Sequence, residues 1–174
     1  MGFLSKLFGS KETKSLIVVA PVSGEVVSTN KVKDETFSQN MVGKGFAIYP
    51  SDGNFVAPID GEIILIAETG HAYSIKSKSG IQILVHIGLD TVNINTKRDP
   101  GAPLKVFNII AKTGDHVKSG ASIMTVDIAE IKKMGYDSIT PVVVINDEYS
   151  ANKQINQLVS DKTVVANTPI LEIK

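Results

Sequence analysis

The sequence contains no cysteine. The chain therefore cannot form a disulfide framework, a cysteine-ligated zinc or iron-sulfur site, or a thiol nucleophile. An excess of one charge is also lacking, because 18 Lys and Arg residues balance 18 Asp and Glu residues to a formal net charge of zero. Such a balance gives no general attraction to nucleic acid phosphates, so we expect no nucleic acid partner.

Long apolar runs are absent as well. The longest, Leu16–Val22, includes Pro21 and is far shorter than the roughly 20 residues needed to cross a bilayer. The first 14 residues do not form a secretory signal, because Lys6, Lys11 and Lys14 interrupt their apolar residues. We therefore expect a cytoplasmic protein.

Residues 1–14 are predicted to be separate from the domain formed by residues 15–174. Four apolar residues of this segment fall on one stripe of a short helix, beside lysines. They are Phe3, Leu4, Leu7 and Phe8. One interpretation is that residues 3–11 make a weak peripheral contact with anionic lipid at the inner face of the membrane. The alternative is a flexible tail, and so short a segment leaves both open.

From residue 15 onward the pattern changes to short β-branched runs broken by Gly, Pro, Asp and Asn, which is typical of an all-β protein. The expected strands are Leu16–Val19, Gly24–Val27, Phe46–Tyr49, Gly61–Ala67, Ile81–Ile87, Ser122–Asp127, Pro141–Ile145 and Pro169–Ile173. We predict an antiparallel β-sandwich or partly closed barrel. Short helical turns are expected at Ile128–Met134 and Gln154–Val159, and an exposed loop at Asn95–Leu104.

One internal repeat is visible in the first half of the chain. The segment Ala20–Val27 recurs as Ala57–Ile64, with Ala-Pro at the start and Gly-Glu at the centre of both copies. Two similar turns are therefore expected to open two similar strands.

Two of the three histidines, His71 and His86, lie on either side of the turn-rich segment Ser77–Gly80. A symmetric hairpin loop of two or four residues there pairs positions whose numbers sum to 157, which places His71 directly opposite His86. The Cβ atoms of directly opposed residues lie roughly 4.5 to 5.5 Å apart on the same face. The spacing therefore predicts that the two imidazoles converge.

The other face of this hairpin is predicted to be the core. Its second strand places an apolar row there, formed by Ile81, Ile83, Val85 and Ile87. The histidine face then carries Tyr73, Ile75, Gln82 and Leu84. This face is more apolar than ordinary solvated surface and is typical of a patch on which a partner protein docks.

Two facing imidazoles allow three kinds of chemistry. They can contribute to a zinc site, although the His-Glu-x-x-His and His-x-His patterns are missing. They can act as acid and base on a small molecule, or one neutral ring can attack phosphorus while the other donates an N–H to a phosphoryl oxygen. We therefore assign no metal site. The segment Val42–Gly45 lacks the first Gly and the Ser/Thr of a phosphate-binding P-loop, so we expect no nucleotide and assign no cofactor.

Five segments together resemble the glucose-type enzyme IIA domain of the bacterial sugar phosphotransferase system, over nearly the whole chain. These segments are Ala20–Gly24, Val42–Ile48, Val56–Gly61, Thr69–Ala72 and Leu84–Val92. The specificity of the resemblance comes from the interval of 15 residues between the two histidines (86 − 71) and from the motif His-x-Gly-x-Asp-Thr-Val. The Ala-Pro-x-x-Gly segments alone are also similar to biotinyl and lipoyl carrier domains.

The resemblance implies a flattened β-sandwich built as a duplicated hybrid motif, and a phosphocarrier function. The phosphoryl group is accepted from a phosphohistidine of the carrier protein HPr and passed to a cysteine of enzyme IIB. His86 matches the residue that is phosphorylated on Nε2, with its Nδ1–H held by the carbonyl of Gly88. His71 matches the second active-site histidine, and Thr69 matches the hydroxyl that orients it.

The resemblance also assigns partner-binding residues. Asp34 and Asp90 match acidic residues that face the basic surface of HPr. Four residues match the apolar patch around the site: Phe37, Met41, Val42 and Leu84.

Further partners follow from the same resemblance. Because enzyme IIB needs a cysteine, we expect IIB and the sugar-translocating IIC on a separate chain. Some members bind other transporters and kinases when they are unphosphorylated, so such regulated partners are a further expectation. Three departures from the family pattern bear on partner preference: a longer segment at Thr96–Val106, Lys44 in place of an acidic residue, and Ala67 in place of a larger one.

Two other function classes are considered beside this one. One is a non-catalytic biotinyl- or lipoyl-like carrier or regulatory binding module. A biotinyl or lipoyl carrier needs a modifiable lysine on a tight exposed hairpin, for which Lys118 is the candidate although the residue order around it is wrong. A zinc peptidase of related β architecture would need the missing His-x-His pattern. The third histidine, His116, is expected to be a solvated hairpin residue.

Overall fold

The computed structural model describes residues 14–94 and 106–174, and in these ranges the chain consists mainly of short strands. In chain order they are β1 (Leu16–Val19), β2 (Gly24–Ser28), β3 (Gly43–Pro50), β4 (Asn54–Val56), β5 (Gly61–Ile66), β6 (Ala72–Lys76), β7 (Gln82–His86), β8 (Phe107–Ile109), β9 (His116–Val117), β10 (Ser122–Val126), β11 (Thr140–Ile145), β12 (Ile155–Gln157), β13 (Lys162–Val164) and β14 (Pro169–Ile173). The all-β prediction is confirmed. The N-terminal residues 1–13 and the expected loop at residues 95–104 lie outside the described residues.

Short helices interrupt the strands. Helix α1 (Glu35–Ser38) begins after Asp34, whose carboxylate accepts the N–H of Thr36 at 2.9 Å. Helix α2 (Ile128–Lys133) begins after Asp127, whose carboxylate accepts the N–H of Glu130 at 2.9 Å. The second helix confirms the helical turn predicted at residues 128–134. Neither helix approaches the length of a membrane span, and the rest of the described chain has no such helix either.

The helical turn predicted at residues 154–159 is wrong. These residues contain β12, which pairs with β14. The partly buried side chain of Ile155 packs against the core, so tertiary pairing decides the conformation of a segment too short to have a strong preference of its own.

The strands form one large antiparallel sheet and two small ones. The large sheet has eight strands in the order β13-β2-β3-β11-β7-β6-β5-β9, and the small sheets have the orders β1-β14-β12 and β4-β10-β8. A single core cluster joins one face of the large sheet to both small sheets, as shown by Val85, Leu171 and Met124, one from each sheet. This is the predicted β-sandwich, in which two layers enclose one core.

The sheets repeat one pattern twice. Read from its two ends, the large sheet runs β13-β2-β3-β11 and β9-β5-β6-β7, and the small sheets match as β1-β14-β12 and β4-β10-β8. The repeated sequence segments open β2 and β5. Reciprocal hydrogen bonds join the two turns, because the N–H of Val19 donates to Pro58 O at 2.9 Å and the N–H of Val56 donates to Pro21 O at 2.8 Å. The first repeat is thus interrupted after β3 by the second, β4 to β10, and resumes at β11.

The hairpin of β6 and β7 differs from its predicted register by one residue. The observed pairs have numbers that sum to 158, so His86 lies opposite Ala72 and not opposite His71. The cause is the turn: the N–H of Ser77 donates to Ile81 O at 2.8 Å, and Gly80 adopts a φ of +91°. A turn with an odd number of residues, closed by a left-handed glycine, shifts the register by one.

This shift also corrects the predicted histidine face. Tyr73 and Ile75 are fully buried in the core and do not belong to that face. The outer side of the hairpin instead carries Ala72 and Ser74 on β6, and Leu84 and His86 on β7, which pair across the two strands. The predicted core row of β7 is confirmed, since Ile81, Ile83, Val85 and Ile87 are all buried.

A second, smaller apolar cluster lies on the outer side of the large sheet. Its buried members are Val27, Val32, Phe37, Ala47, Leu89, Ile139 and Val143, and the half-buried Val42 and Leu84 pack against it. Because Phe37 belongs to α1, this cluster fixes α1 and the segment around it onto the sheet beside His86. The packing therefore gives the outer face a rigid apolar floor.

Tyr73 provides a test of the core packing. Its hydroxyl donates to Val56 O at 2.7 Å, and the side chain is fully buried. Tyr73→Phe leaves that carbonyl without its side-chain donor, so we expect a loss of about 1–2 kcal/mol in the free energy of unfolding, measured by urea denaturation. Tyr49→Phe, on an exposed side chain of β3, is the control, and equal midpoints for the two variants would contradict the assignment.

Candidate functional site

The rings of His71 and His86 meet on the outer face of the large sheet. Their centroids are 5.2 Å apart and their planes are inclined by 75°. His86 ends β7, whereas His71 precedes β6 and lies in a turn outside the strand alternation. The N–H of Ile87 donates to His71 O at 2.7 Å and holds the two segments together, so the rings converge although the residues are not directly opposed.

The hydrogen bonding of His86 defines which nitrogen is free. Its Nδ1 lies 2.8 Å from Gly88 O, and because a carbonyl only accepts, Nδ1 carries the proton. In the neutral ring, Nε2 then has the lone pair. Gly88 has a φ of +73°, and a Cβ at this position would lie 2.8 Å from Asp137 O. The carbonyl that orients His86 therefore requires glycine at this position.

His71 is oriented by its own turn. The Thr69 hydroxyl hydrogen-bonds to His71 Nδ1. The N–H of Gly70 donates to Ala67 O at 2.8 Å, and Gly70 has a φ of +83°. A tight turn thus holds Thr69 and His71 so that their side chains meet. The Thr69 hydroxyl bonds Nδ1 of His71 and not Nε2.

Both rings are half-buried, and both favour the neutral form. Burial lowers the pKa of His71 below its ordinary value of 6.5, and the neighbouring His86 lowers it further. Burial also lowers the pKa of His86, and this effect exceeds the opposing influence of the Gly88 carbonyl and of the Asp34 and Asp90 carboxylates. Near pH 7 the site therefore consists of two uncharged imidazoles.

Apolar side chains surround the pair on one flank. The ring of Phe37 is 5.2 Å from that of His86 and inclined by 53°. Val42 and Leu84 are half-buried on the same cluster, while Met41 is 67% exposed. The structure therefore places Phe37, Val42 and Leu84 of the expected apolar patch in the cluster on the histidine face, whereas Met41 does not belong to that cluster.

Two carboxylates lie close enough to His86 to favour its protonated form. Asp34 is fixed as the cap of α1. Asp90 is exposed and has a left-handed φ of 58°. These are the two acidic residues that the resemblance assigned to partner binding, and they leave negative charge beside an apolar surface.

Two residues that support the site are not among those predicted from the sequence. The Thr91 hydroxyl donates to Ile87 O, and the N–H of Leu89 donates to Asp137 O at 2.9 Å. Both bonds fix the segment that follows His86. Thr91 belongs to the motif His-x-Gly-x-Asp-Thr-Val and can be predicted from it. No local signal in the sequence connects Asp137 with Leu89, because the two residues lie far apart in the chain.

The remaining candidates lie elsewhere. Lys118 is exposed and its Nζ lies 3.1 Å from the carboxylate of Asp60, while His116 is exposed on β9. Among the residues that the structure describes, no three His, Asp or Glu side chains converge as metal ligands. Lys44 is exposed on β3, and Ala67 is half-buried next to the turn of His71.

Comparison with known proteins gives one consistent family. The family model described as phosphoenolpyruvate-dependent sugar phosphotransferase system, EIIA 1, matches residues 16–149. The chain is similar to the PTS system glucose-specific EIIA component of Haemophilus influenzae, with 40% identity over 169 residues, 95% of this chain and 97% of the relative.

A longer relative and a solved structure agree. The PTS system beta-glucoside-specific EIIBCA component of Bacillus subtilis is 40% identical over 161 residues, which cover 91% of this chain and 24% of that protein. The solved structure of glucose permease IIA from Mycoplasma capricolum has a TM-score of 0.78 and 30% identity, covering 91% of this chain and 96% of that one. The fold and the family are therefore those that the sequence resemblance indicated.

The lowered pKa values of the two histidines predict how stability depends on pH. The folded state disfavours protonation, so the stabilisation is present above about pH 6.5 and is lost as the pH falls below the unfolded pKa towards the folded one. We expect the free energy of unfolding to decrease on acidification below that value, and to decrease less in the His71→Gln/His86→Gln double variant. Urea titrations at a series of pH values measure the difference.

The matched control for this experiment is His116→Gln on the exposed strand β9. It should keep the wild-type pH dependence. A double variant whose pH dependence equals that of the wild type would contradict the neutral pair.

Proposed function

Because the chain belongs to the EIIA 1 family of the phosphoenolpyruvate-dependent sugar phosphotransferase system, and is therefore a phosphotransferase component, we propose that it carries a phosphoryl group on Nε2 of His86. The group is accepted from a phosphohistidine of HPr and passed to a cysteine of an EIIB domain. The observation that carries the proposal is the bond from His86 Nδ1 to Gly88 O, at 2.8 Å, which leaves Nε2 as the nucleophilic atom beside the His71 ring.

The acceptance step uses His86 as a neutral nucleophile. The Nε2 lone pair forms the bond to phosphorus while the N–P bond of the donor breaks, and that electron pair returns to the donor imidazole. Burial lowers the pKa of His86, so the lone pair is available near pH 7. In the onward step a thiolate sulfur attacks phosphorus and the electron pair of the N–P bond returns to Nε2.

His71 acts as a hydrogen-bond donor to the phosphoryl group. If the Thr69 hydroxyl donates to Nδ1 of His71, the neutral ring carries its proton on Nε2 and offers that N–H to a phosphoryl oxygen. A neutral donor orients the group without the strong electrostatic stabilisation that an Arg or Lys would give to the phosphorylated state. This suits a carrier, because in-line transfer depends mainly on positioning and the group must leave again.

Docking of the protein partners uses the surface around the pair. The apolar part is formed by Phe37, Met41, Val42 and Leu84, and the acidic part by Asp34 and Asp90. An apolar centre with charges at its margin is the usual arrangement of a transient interface. The acidic margin favours a basic partner, which is the character expected of HPr.

The EIIB partner is supported by the fused relative. The B. subtilis protein carries EIIB, EIIC and EIIA in one chain, as its name states, and a fused pair works at a high effective concentration. The carrier alternative at Lys118 has no comparable support. A cytoplasmic location, lipid contact by residues 3–11 and binding of regulated transporters or kinases by the unphosphorylated form stay predictions.

Labelling of His86 tests the acceptance step. Phosphorylated HPr should transfer its group to the wild type as an acid-labile label, because a phosphorus–nitrogen bond hydrolyses in acid. His86→Ala should abolish that label, while His116→Ala should keep it. Mass spectrometry of the modified protein reads the outcome, and label that persists in His86→Ala would refute the assignment.

The donor role of His71 predicts a separation of the two half-reactions. His71→Gln should still accept label on His86, but delivery to EIIB should slow by more than tenfold, roughly 1.4 kcal/mol. Rapid-quench measurement of each half-reaction distinguishes them. Onward rates equal to those of the wild type would reject the role.

A further inference from the structure

A β-bulge in β5 changes which face of the sheet the side chain of Leu65 lies on. Ile63 pairs with Ile75, but the next pair is Leu65 with Ser74, so β5 contains one extra residue at this point. Ile63 is fully buried in the core. Without the bulge, strict alternation would turn Leu65 towards the core as well, whereas the bulge puts Leu65 on the face of Ser74.

That face is the one that bears His86. Ser74 pairs with Leu84, so Leu65, Ser74 and Leu84 lie side by side across β5, β6 and β7. His86 follows Leu84 by two residues and therefore has the same orientation. Leu65 thus extends the histidine face by two strands, on the flank opposite the one where Val143 of β11 pairs with Leu84.

The residue between the two leucines is covered. Ser74 is only 5% exposed, and its hydroxyl is buried without a hydrogen-bond partner. A side chain this short is covered by larger neighbours on the same face, and its two cross-strand neighbours are Leu65 and Leu84. The surface from β5 to β7 is therefore continuous and apolar beside the imidazole pair.

Leu65 itself stays accessible, with a relative exposure of 47% for the residue. Neighbouring strands are about 4.8 Å apart, so β5 lies about 10 Å from β7. A standard interface covers about 800 Å² of each partner, equivalent to a disc of about 16 Å radius. A protein that brings a phosphoryl group to His86 therefore covers Leu65 as well.

We propose that Leu65 is a docking residue for the protein that presents the phosphoryl group to His86, and that it receives an apolar side chain of that protein on the β5 flank. This inference rests on the proposed function, because it concerns the same site. The occupant is a protein surface with an apolar centre and basic groups at its margin, which would complement the leucines together with Asp34 and Asp90.

Kinetics of phosphoryl transfer from phosphorylated HPr test the proposal. Leu65→Lys places a charge in the apolar contact and should raise KM at least tenfold, while kcat changes less than twofold. Leu65→Met keeps an apolar side chain and should stay within threefold of the wild-type KM. The control is Ile109→Lys on β8, which is 40% exposed in a small sheet on the other side of the core and should leave KM unchanged.

A small phosphodonor separates docking from chemistry. Phosphoramidate needs no docking surface, so it should label His86 in Leu65→Lys at the wild-type rate. An unchanged KM for phosphorylated HPr in Leu65→Lys would overturn the role of Leu65 and leave the proposed function intact. Slower labelling of Leu65→Lys by both donors would also overturn the docking role of Leu65, since the substitution would then have changed the histidine site itself. Absence of label on wild-type His86 with either donor would instead refute the proposed function.

Discussion

The alternation of β7 between two apolar layers is the constraint on which the site depends. Ile83 and Val85 are fully enclosed in the main core, while Leu84 packs on the second cluster and His86 faces outward. Because β7 is paired on both sides, by β6 and β11, this strand has no freedom to slip without exposing its core residues. The backbone of His86 is therefore held rigidly by the sheet, and the bond from Nδ1 to Gly88 O fixes the orientation of the imidazole ring.

Burial and charge act on the pair in opposite directions. The apolar floor removes water from both rings and favours their neutral forms, whereas Asp34 and Asp90 favour protonation of His86. The balance keeps His86 uncharged in a field that is negative at its margin. In the function we propose, such a field attracts a basic partner over a long range, and it disfavours an excessively stable phosphorylated state, because the phosphoryl group is itself anionic. In the proposed function, attraction of the partner and release of the phosphoryl group thus both depend on these two carboxylates.

Periodicity in the sequence was sufficient for the core row of β7, since Ile83 and Val85 alternate with Leu84 and His86 and can be assigned without knowledge of neighbours. The register was not, because it depends on the left-handed φ of Gly80 in the turn, and the composition of Ser77–Gly80 does not distinguish an even loop of two or four residues from the observed loop of three. Phe37 and Asp34 lie far from His86 in sequence, so only the family resemblance connected them with it. The outward orientation of Leu65 cannot be predicted from the sequence, because a bulge does not alter the pattern of a continuous apolar run such as Ile63–Ile66.

The interrupted repeat has a topological consequence. Leu16 pairs with Ile173, so β1 and β14 run side by side although 157 residues separate these partners in the chain (173 − 16). The fold therefore depends on the cyclic order of its strands and not on where the polypeptide is opened. A circular permutant that joins β14 to β1 and is cut between β3 and β4 would keep every strand pairing, each repeat would become one uninterrupted stretch, and the most costly loop closure would be replaced by a hairpin.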